Sequence, residues 1–275
     1  MAGQEPPRDA ELLGLALEAA REAAELVGSL RAVGVAVADT KSSPVDVVTE
    51  ADQQSEELLR RRLLGARPDD GFLGEEGEVV TGTSGVRWVV DPIDGTVNYL
   101  YGLPAYAVSV AAERDGRVVA GAVVNPAAGL EYAAHLGGGA TRNGEPLRVR
   151  PAPPLEESLV ATGFGYEAQV RARQAAAVGR MLPRVRDIRR VGSCALDLCA
   201  VAAGQVDAYV EEGVNPWDHA AGGLVAAEAG AVVEVWTTTG GRDLLVCAPE
   251  AAWAAFSHLV RECGFLGEQA APGAR

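Results

Sequence analysis

The sequence predicts an α/β (α+β) protein with two sheets, and three observations support this class. Two helical patterns at the start of the chain are followed by consecutive strand patterns joined by short turns. Strand and helix patterns alternate in the C-terminal part of the chain. Hydrophobic residues make up 48% of the 275 residues and charged residues 23%, which is ordinary for a compact globular fold. We therefore expect an antiparallel or mixed N-terminal sheet and a smaller C-terminal α/β sheet.

Two helices are expected at the start of the chain. Apolar residues recur at helical spacing over residues 9–33, and Asp9 is placed to cap that helix. A second helix is expected to begin near Asp52 and to run toward Pro68, whose ring disfavours continuation. The polar segment of residues 41–52 contains a proline and is predicted to be a loop.

Strand patterns dominate the middle of the chain, and short turns such as Arg114-Asp-Gly116 favour antiparallel pairing. The predicted strands cover residues 71–74, 87–90, 105–113, 117–125 and 130–136. The segment Pro151-Ala-Pro-Pro154 is the best candidate for a linker. We therefore expect an N-terminal α+β domain of residues 1–150 and a C-terminal α/β domain of residues 151–275.

Strands and helices alternate beyond this linker, which indicates a second α/β layer system. The predicted strands cover residues 159–162, 185–191, 206–210, 231–235 and 244–247, and the predicted helices cover residues 166–181, 195–203, 217–229 and 251–262.

Charge and composition limit the classes of partner. The net charge of -14 would repel the phosphate backbone of a nucleic acid, so we expect no nucleic-acid partner. The apolar run over residues 118–124 is too short to span a membrane, and the N-terminus lacks the pattern of a signal peptide. The four cysteines form no Cys-x-x-Cys pair and are expected to be free and buried. These features predict a cytoplasmic protein with no membrane partner.

The strongest motif for chemistry lies in residues 88–98, Trp-Val-Val-Asp-Pro-Ile-Asp-Gly-Thr-Val-Asn. A buried strand is expected to carry Asp91 at its C-terminal end, where Pro92 prevents simple continuation. The Asp94-Gly-Thr segment is typical of a turn that opens a helix. Both carboxylates would then project from one rigid turn.

Oxygen ligands of this kind suit Mg²⁺, which takes few protein ligands and keeps several waters. The carboxylates of Asp91 and Asp94 and the carbonyl of Ile93 supply such ligands, and the Gly95 and Thr96 amides would offer N–H groups to a phosphate oxygen. Taken alone, an Asp-x-x-Asp pair is more often a pair of helix caps.

Two further carboxylate sites strengthen the metal hypothesis. Glu75 and Glu76 follow a short apolar strand, where like charges repel unless a cation intervenes. Asp218 stands where an apolar stretch gives way to a helix. Solvated glutamates and a helix cap are the alternative interpretations of these sites.

Together these segments resemble the inositol monophosphatase family. The resemblance covers most of the chain, from Lys41 to about Gly230. It is carried by Lys41-Ser-Ser-Pro-x-Asp-x-Val-Thr, Gly-Glu75-Glu76, Trp-x-x-Asp91-Pro-Ile-Asp-Gly-Thr96-x-Asn, Gly192-Ser193 and Trp217-Asp218-x-Ala-Ala-Gly. It implies a layered αβαβα sugar-phosphatase fold and a homodimer that hydrolyses a phosphate monoester with Mg²⁺ and is inhibited by lithium.

The resemblance also implies a set of metal ligands. Glu75, Asp91 and the Ile93 carbonyl would hold a first Mg²⁺, and Asp91, Asp94 and Asp218 would hold a second. One ion would lower the pKa of the attacking water, while the other would stabilise the leaving alkoxide. The N-terminal domain would carry most of these ligands and the C-terminal domain Asp218.

Substrate contacts follow from the same resemblance. Glu75 with Thr96 would orient and help deprotonate the attacking water, and the Gly95 and Thr96 amides would cradle the phosphate. Glu211 would accept hydrogen bonds from substrate hydroxyls, and Ser193 and Asp218 complete the expected substrate contacts.

Three more residues are expected to support the site without contacting the substrate. Asp52 would steady a ligand or a water, Glu76 would complete a third metal site, and Lys41, the one lysine of the chain, would belong to a loop covering the metals.

The chain departs from the family pattern beside the site. Val97 stands where many relatives have a second threonine, and Cys194 where several have alanine. We expect Cys194 to be a small apolar filler and Glu212 to be solvated.

Several alternatives stay open at this point. Histidinol phosphate, fructose 1,6-bisphosphate and a 3′-phosphoadenosine nucleotide are hydrolysed on the same scaffold, and fold alone does not decide among them. Among these, we expect myo-inositol monophosphate to be the substrate. A haloacid-dehalogenase type is disfavoured, because its aspartates are two residues apart near the start of the chain. A non-catalytic partner of the transcription machinery is the alternative outside enzymes.

Overall fold

A computed structural model of the chain describes residues 8–35, 37–40 and 47–267. The helices of this part are α1 Asp9–Val33, α2 Glu50–Ala66, α3 Thr96–Tyr101, α4 Ala168–Met181, α5 Cys194–Ala202, α6 Pro216–Glu228 and α7 Glu250–Glu262. Its strands are β1 Val37–Thr40, β2 Val47–Thr49, β3 Gly71–Leu73, β4 Val86–Asp94, β5 Ala107–Arg114, β6 Arg117–Asn125, β7 Leu130–His135, β8 Gly139–Arg142, β9 Glu145–Leu147, β10 Leu159–Thr162, β11 Asp187–Arg189, β12 Ala208–Glu212, β13 Ala231–Thr237 and β14 Asp243–Pro249.

The N-terminal sheet has seven strands in the order β3-β4-β5-β6-β7-β8-β9. Strands β4 to β9 pair antiparallel in chain order, with short turns between the strands from β5 to β9 and helix α3 between β4 and β5, whereas β3 pairs parallel with β4. The mixed character expected for this sheet is confirmed.

The C-terminal sheet has five strands in the order β11-β10-β12-β14-β13. Strand β10 pairs parallel with both β11 and β12, while β14 pairs antiparallel with β12 and β13. Strands β1 and β2 form a separate antiparallel pair.

Alternating side chains on β4 show how the layers are built, since successive residues of a strand point to opposite faces. Trp88 and Val90 pack in a buried cluster with Leu12 of α1 and Leu59 of α2. Val89 packs on the other face, in the cluster that contains α5 and α6 residues.

The opposite sides of α5 and α6 pack against the C-terminal sheet, whose other face is covered by α4 and α7. The five layers are therefore α1/α2, sheet, α5/α6, sheet and α4/α7. This is the αβαβα arrangement that the sequence predicted.

Several predicted boundaries were wrong at the N-terminal side. Arg8, not Asp9, occupies the capping position of α1, where its backbone N–H donates to Glu11 Oε2 at 3.2 Å and its Nε donates to Glu11 Oε1 at 2.9 Å. Helix α2 begins at Glu50, because Thr49 caps it and Asp52 completes the capping box in the first turn. The end of the predicted loop is β2, and residues 41–46 lie outside the described residues.

The strands β1, β2, β8 and β9 were not predicted, since they are short and lack apolar alternation. Pro92 does not end β4, which continues to Asp94. The division of the chain near residue 150 stays a prediction. Within the described ranges, none of the helices is both long and apolar enough to cross a membrane.

Candidate active site

A cavity of about 380 Å³ opens where β4, α3 and the first turns of α5 and α6 meet. Most of the site residues predicted from the sequence line it: Glu75, Asp91, Ile93, Asp94, Gly95, Thr96, Glu211 and Asp218. The structure therefore brings together segments that are far apart in the chain.

Asp91 and Asp94 reach the cavity because β4 is irregular at this point. Asp91 pairs with Ser109 and Asp94 with Ala107, so β4 has one more residue than β5 between these pairs. Residues three apart in a regular strand point to opposite faces, and one extra residue restores them to the same side. Because of this bulge, the carboxylates of Asp91 and Asp94 lie on the same side of the buried end of β4.

Asp218 completes a cluster of three carboxylates. One oxygen each from Asp91, Asp94 and Asp218 lies within 4.8 Å of the others. Asp218 arrives from the first turn of α6, where its Oδ2 accepts a hydrogen bond of 2.5 Å from the Asn215 N–H in a capping box. The capping interpretation of Asp218 is thus correct, and it is compatible with a place in the cluster because the second carboxylate oxygen is not used by the cap.

Hydrogen bonds orient the other two carboxylates. Oδ1 of Asp91 accepts the N–H of Ile93 at 3.0 Å. Oδ2 of Asp94 accepts the Ser193 hydroxyl at 2.5 Å and the Ala195 N–H at 2.7 Å. The start of α5 therefore holds Asp94 in place.

Burial and mutual repulsion raise the pKa values of the cluster. Burial raises the pKa of Asp91 well above its usual range, and the charge of Glu75 raises it further. Burial likewise raises the pKa of Asp218, with the charge of Asp94 as the next cause. Burial raises the pKa of Asp94 to about 7, although the hydrogen bonds from Ser193 and Ala195 lower it.

Several buried carboxylates that repel each other form a site that a cation stabilises, because opposite charge favours the ionised forms. Since the donors are all oxygens, the set fits a hard divalent cation such as Mg²⁺.

Thr96 connects the cavity to Asp52. Its hydroxyl lies 3.1 Å from Asp52 Oδ1 and 3.0 Å from the Ile93 carbonyl oxygen, and its single proton can serve one of them at a time. The other Asp52 oxygen accepts the Thr49 N–H at 2.8 Å and the Thr49 hydroxyl at 2.5 Å. Burial raises the pKa of Asp52 to about 6. Asp52 is not among the lining residues, and it contacts one of them, Thr96.

Glu211 also lines the cavity, and its Oε2 accepts a hydrogen bond of 2.6 Å from the Tyr209 hydroxyl. Glu212 was expected to be solvated, and this was wrong. Its side chain is buried, with Gln174 Nε2 3.4 Å from its Oε2 and an Arg173 guanidinium nitrogen 3.6 Å from its Oε1.

Cys194 is buried and also lines the cavity. All four cysteines are free and buried, as expected.

Three other predicted site residues occupy different places. Ser193 lies behind Asp94 and is not among the lining residues. The Glu76 N–H donates to Glu56 Oε2 at 2.7 Å, and Glu76 does not line the cavity either. Lys41 lies outside the described residues.

Sequence reasoning missed several lining residues that no motif marks: Phe164, Tyr166, Glu167, Val170, Arg190 and Arg242. Arg190 had one signal, since it precedes the Gly192-Ser193 motif by two positions.

Comparisons with known proteins identify the family of the chain. The model of the inositol monophosphatase family matches residues 9–263. The curated inositol-1-monophosphatase SuhB of Mycobacterium tuberculosis is 50% identical over 236 residues, which cover 82% of this chain and 81% of that protein. The Nus factor SuhB of Escherichia coli is 37% identical over 237 residues, which cover 86% and 88% of the two chains.

A solved structure gives the same result for the fold. Mycobacterium tuberculosis SuhB matches with a TM-score of 0.81 and 44% identity, over 94% of this chain and 99% of that chain. The resemblance and the layered fold inferred from the motifs are confirmed.

Proposed function

Because this chain belongs to the inositol monophosphatase family and hydrolyses phosphate monoesters, we propose that its substrate is a myo-inositol monophosphate and that its metal is Mg²⁺. The observation that carries the proposal is the cluster of Asp91, Asp94 and Asp218 within 4.8 Å on one side of the cavity. Glu211 lines the same cavity as an acceptor for substrate hydroxyls.

We propose that Glu75, Asp91 and the Ile93 carbonyl hold one ion and that Asp91, Asp94 and Asp218 hold a second. All five residues line one cavity, which supports this assignment. When bound, Mg²⁺ supplies the positive charge that an acidic protein needs to attract a phosphate, and it lowers the pKa of water. A third ion near Glu76 is part of the proposal, and titration of bound Mg²⁺ would count the ions.

The chain's own groups orient the reactants. We propose that the Thr96 hydroxyl, poised between Asp52 and the Ile93 carbonyl, positions the attacking water and that Glu75 accepts its proton. The Gly95 and Thr96 amides are proposed to donate to the phosphate. In this scheme Ser193 supports Asp94, and Asp218 also contacts a substrate hydroxyl.

The cavity size supports a small substrate. About 380 Å³ lies at the lower end of the range typical of small-molecule sites. We also propose a homodimer, since Tyr101 and Leu103 expose 76% and 53% of their surface next to each other. Light scattering at several protein concentrations would test the dimer.

Phosphate release by the purified protein tests the proposed substrate. The panel is myo-inositol 1-phosphate, histidinol phosphate, fructose 1,6-bisphosphate and 3′-phosphoadenosine 5′-phosphate, each assayed with Mg²⁺ and with EDTA. We expect Mg²⁺-dependent release to be fastest from inositol phosphate. A different leading substrate would overturn the substrate assignment but not the metal, and equal rates with EDTA would overturn the metal. No release from any member would make a non-catalytic partner role the working hypothesis.

A further inference from the structure

Glu211 is held on one side by Tyr209. The two residues are two positions apart on β12, so their side chains lie on the same face of the strand. The Tyr209 hydroxyl donates to Glu211 Oε2 at 2.6 Å, and the Tyr209 ring is fully buried. Burial raises the pKa of Tyr209 well above its usual range, so the hydroxyl stays protonated and remains a donor at neutral pH.

The Glu211 carboxylate packs closely against Gly163. Gly163 follows β10, which pairs in parallel with β12 and places Thr162 opposite Val210. A Cβ at Gly163 would lie 2.0 Å from Glu211 Oε2 and 2.2 Å from Oε1, so the carboxylate rests directly on this glycine. The backbone at Gly163 is not in the left-handed region, and the glycine is therefore required for space and not for conformation.

Cys194 is a third residue near Glu211 in the lining of the cavity. It packs in one buried cluster with Tyr209 and exposes only 6% of its surface. A thiol here is small enough to leave the Tyr209 hydroxyl in place.

The three neighbours leave one oxygen of Glu211 available. Oε2 is taken by Tyr209, whereas Oε1 has no hydrogen-bond donor within the part of the chain that the structure describes. An ionised carboxylate only accepts hydrogen bonds, so Oε1 of the half-buried Glu211 can accept one from a hydroxyl of a bound substrate.

We propose that Gly163 and Tyr209 are positioning residues that fix Glu211 Oε1 toward the cavity. They thereby select phosphate monoesters with a free hydroxyl near the ester over esters without one. The inference rests on the proposed function, because it assigns the hydroxyl-binding role to Glu211. It goes further in naming the residues that determine this selectivity.

The test uses two variants and two substrates. Tyr209→Phe removes one hydroxyl from a packed ring, and Gly163→Ala displaces the carboxylate. Kinetics are measured with myo-inositol 1-phosphate and with p-nitrophenyl phosphate, whose leaving group has no hydroxyl. We expect kcat/KM for inositol phosphate to fall about tenfold in both variants, the effect of one misdirected hydrogen bond to a charged group, and that for p-nitrophenyl phosphate to stay within about twofold.

Controls separate positioning from general damage. Tyr132→Phe changes another buried tyrosine, on β7 of the N-terminal sheet and not among the residues that line the cavity, and kcat/KM should stay unchanged for both substrates. A double variant with Glu211→Gln should show no further loss from Tyr209→Phe, because Tyr209 acts through Glu211.

Three outcomes would overturn the inference. They are an equal loss of kcat/KM for the two substrates, full additivity of the losses in the double variant, or unchanged kcat/KM in both single variants. An inactive wild-type protein would instead contradict the proposed function, so the two failures are distinguishable.

Discussion

The Ser193 hydroxyl lies 2.5 Å from Asp94 Oδ2, although the two residues are 99 positions apart. Ser193 also caps α5 by accepting the Leu196 N–H at 3.3 Å. One side chain therefore connects the middle helix layer to the carboxylate cluster at the end of β4. The consequences of this contact can be measured.

Replacing Ser193 by alanine should weaken metal binding. Hydrogen bonds from Ser193 and Ala195 lower the pKa of Asp94, which burial raises to about 7, so losing one donor will favour the protonated form. We expect the Mg²⁺ concentration for half-maximal activity to rise roughly three- to tenfold at pH 7, equivalent to about 0.7–1.4 kcal/mol. Ser193→Thr keeps the hydroxyl and should behave like wild type. The same Mg²⁺ dependence in all three proteins would disprove the supporting role.

Asp91→Asn should abolish activity without unfolding the protein. The change removes a proposed shared metal ligand, and we expect kcat to fall by more than about a hundredfold, the loss seen when even the outer shell of a metal site is disturbed. The thermal midpoint in EDTA should be unchanged or higher, because one source of buried repulsion is gone. Asp115→Asn, in an exposed hairpin turn, is the matched control. Ordinary turnover in the Asp91 variant would refute the metal assignment.

Stability without metal should fall as the pH rises. Asp94 has a pKa of about 7 when folded against an ordinary value of 3.8, so the folded state binds more protons than the unfolded state between these values. The free energy of unfolding therefore decreases across this window, and most of the loss is expected between about pH 5 and 7. Denaturation in EDTA at pH 5.5 and 7.5 would measure it.

A control isolates Asp94 from the general repulsion of an acidic chain. Asp94→Asn should show a smaller dependence on pH than wild type, and added Mg²⁺ should stabilise wild type more at pH 7.5 than at pH 5.5. Stability that rises with pH in EDTA, to the same extent in both proteins, would contradict the raised pKa.

Thr96→Val should reduce kcat while leaving Mg²⁺ affinity close to wild type. The hydroxyl contacts Asp52 and the Ile93 carbonyl but is not one of the three clustered carboxylates. We expect a loss of about a hundredfold, within the range of general acid–base contributions. Thr96→Ser retains the hydroxyl and serves as the control. A normal kcat for the valine variant would remove Thr96 from the mechanism.

Gly95→Ala should destabilise the fold through space as well as conformation. Gly95 has φ 92°, and a Cβ there would lie 2.8 Å from the Ala105 carbonyl oxygen. Gly116 also has a positive φ but has open space around it, so Gly116→Ala pays only the conformational cost of about 1–2 kcal/mol. We expect a larger loss for Gly95→Ala in chemical denaturation, and equal losses would show that the close contact relaxes freely.

Local patterns predicted the regular elements well. Helix α1 and strands β6 and β10 have the predicted bounds, because α1 has a buried face at helical spacing and the two strands are largely continuous buried runs. Polar edge strands such as β8 carry no such pattern. Their pairing depends on the neighbouring strand and not on their own residues.

The sequence by itself determined the family, the layered fold and the residues of the acidic cluster, since these are expressed in contiguous motifs with a fixed chemistry. The tertiary structure alone decided how these residues work together. Three features depend on strand register or on packing between layers. They are the bulge that turns Asp91 and Asp94 to one side, the hydrogen bond from Ser193 to Asp94, and the close approach of Glu211 to Gly163. Such contacts join distant positions, and their distances follow from how the elements pack and not from the order of residues along the chain.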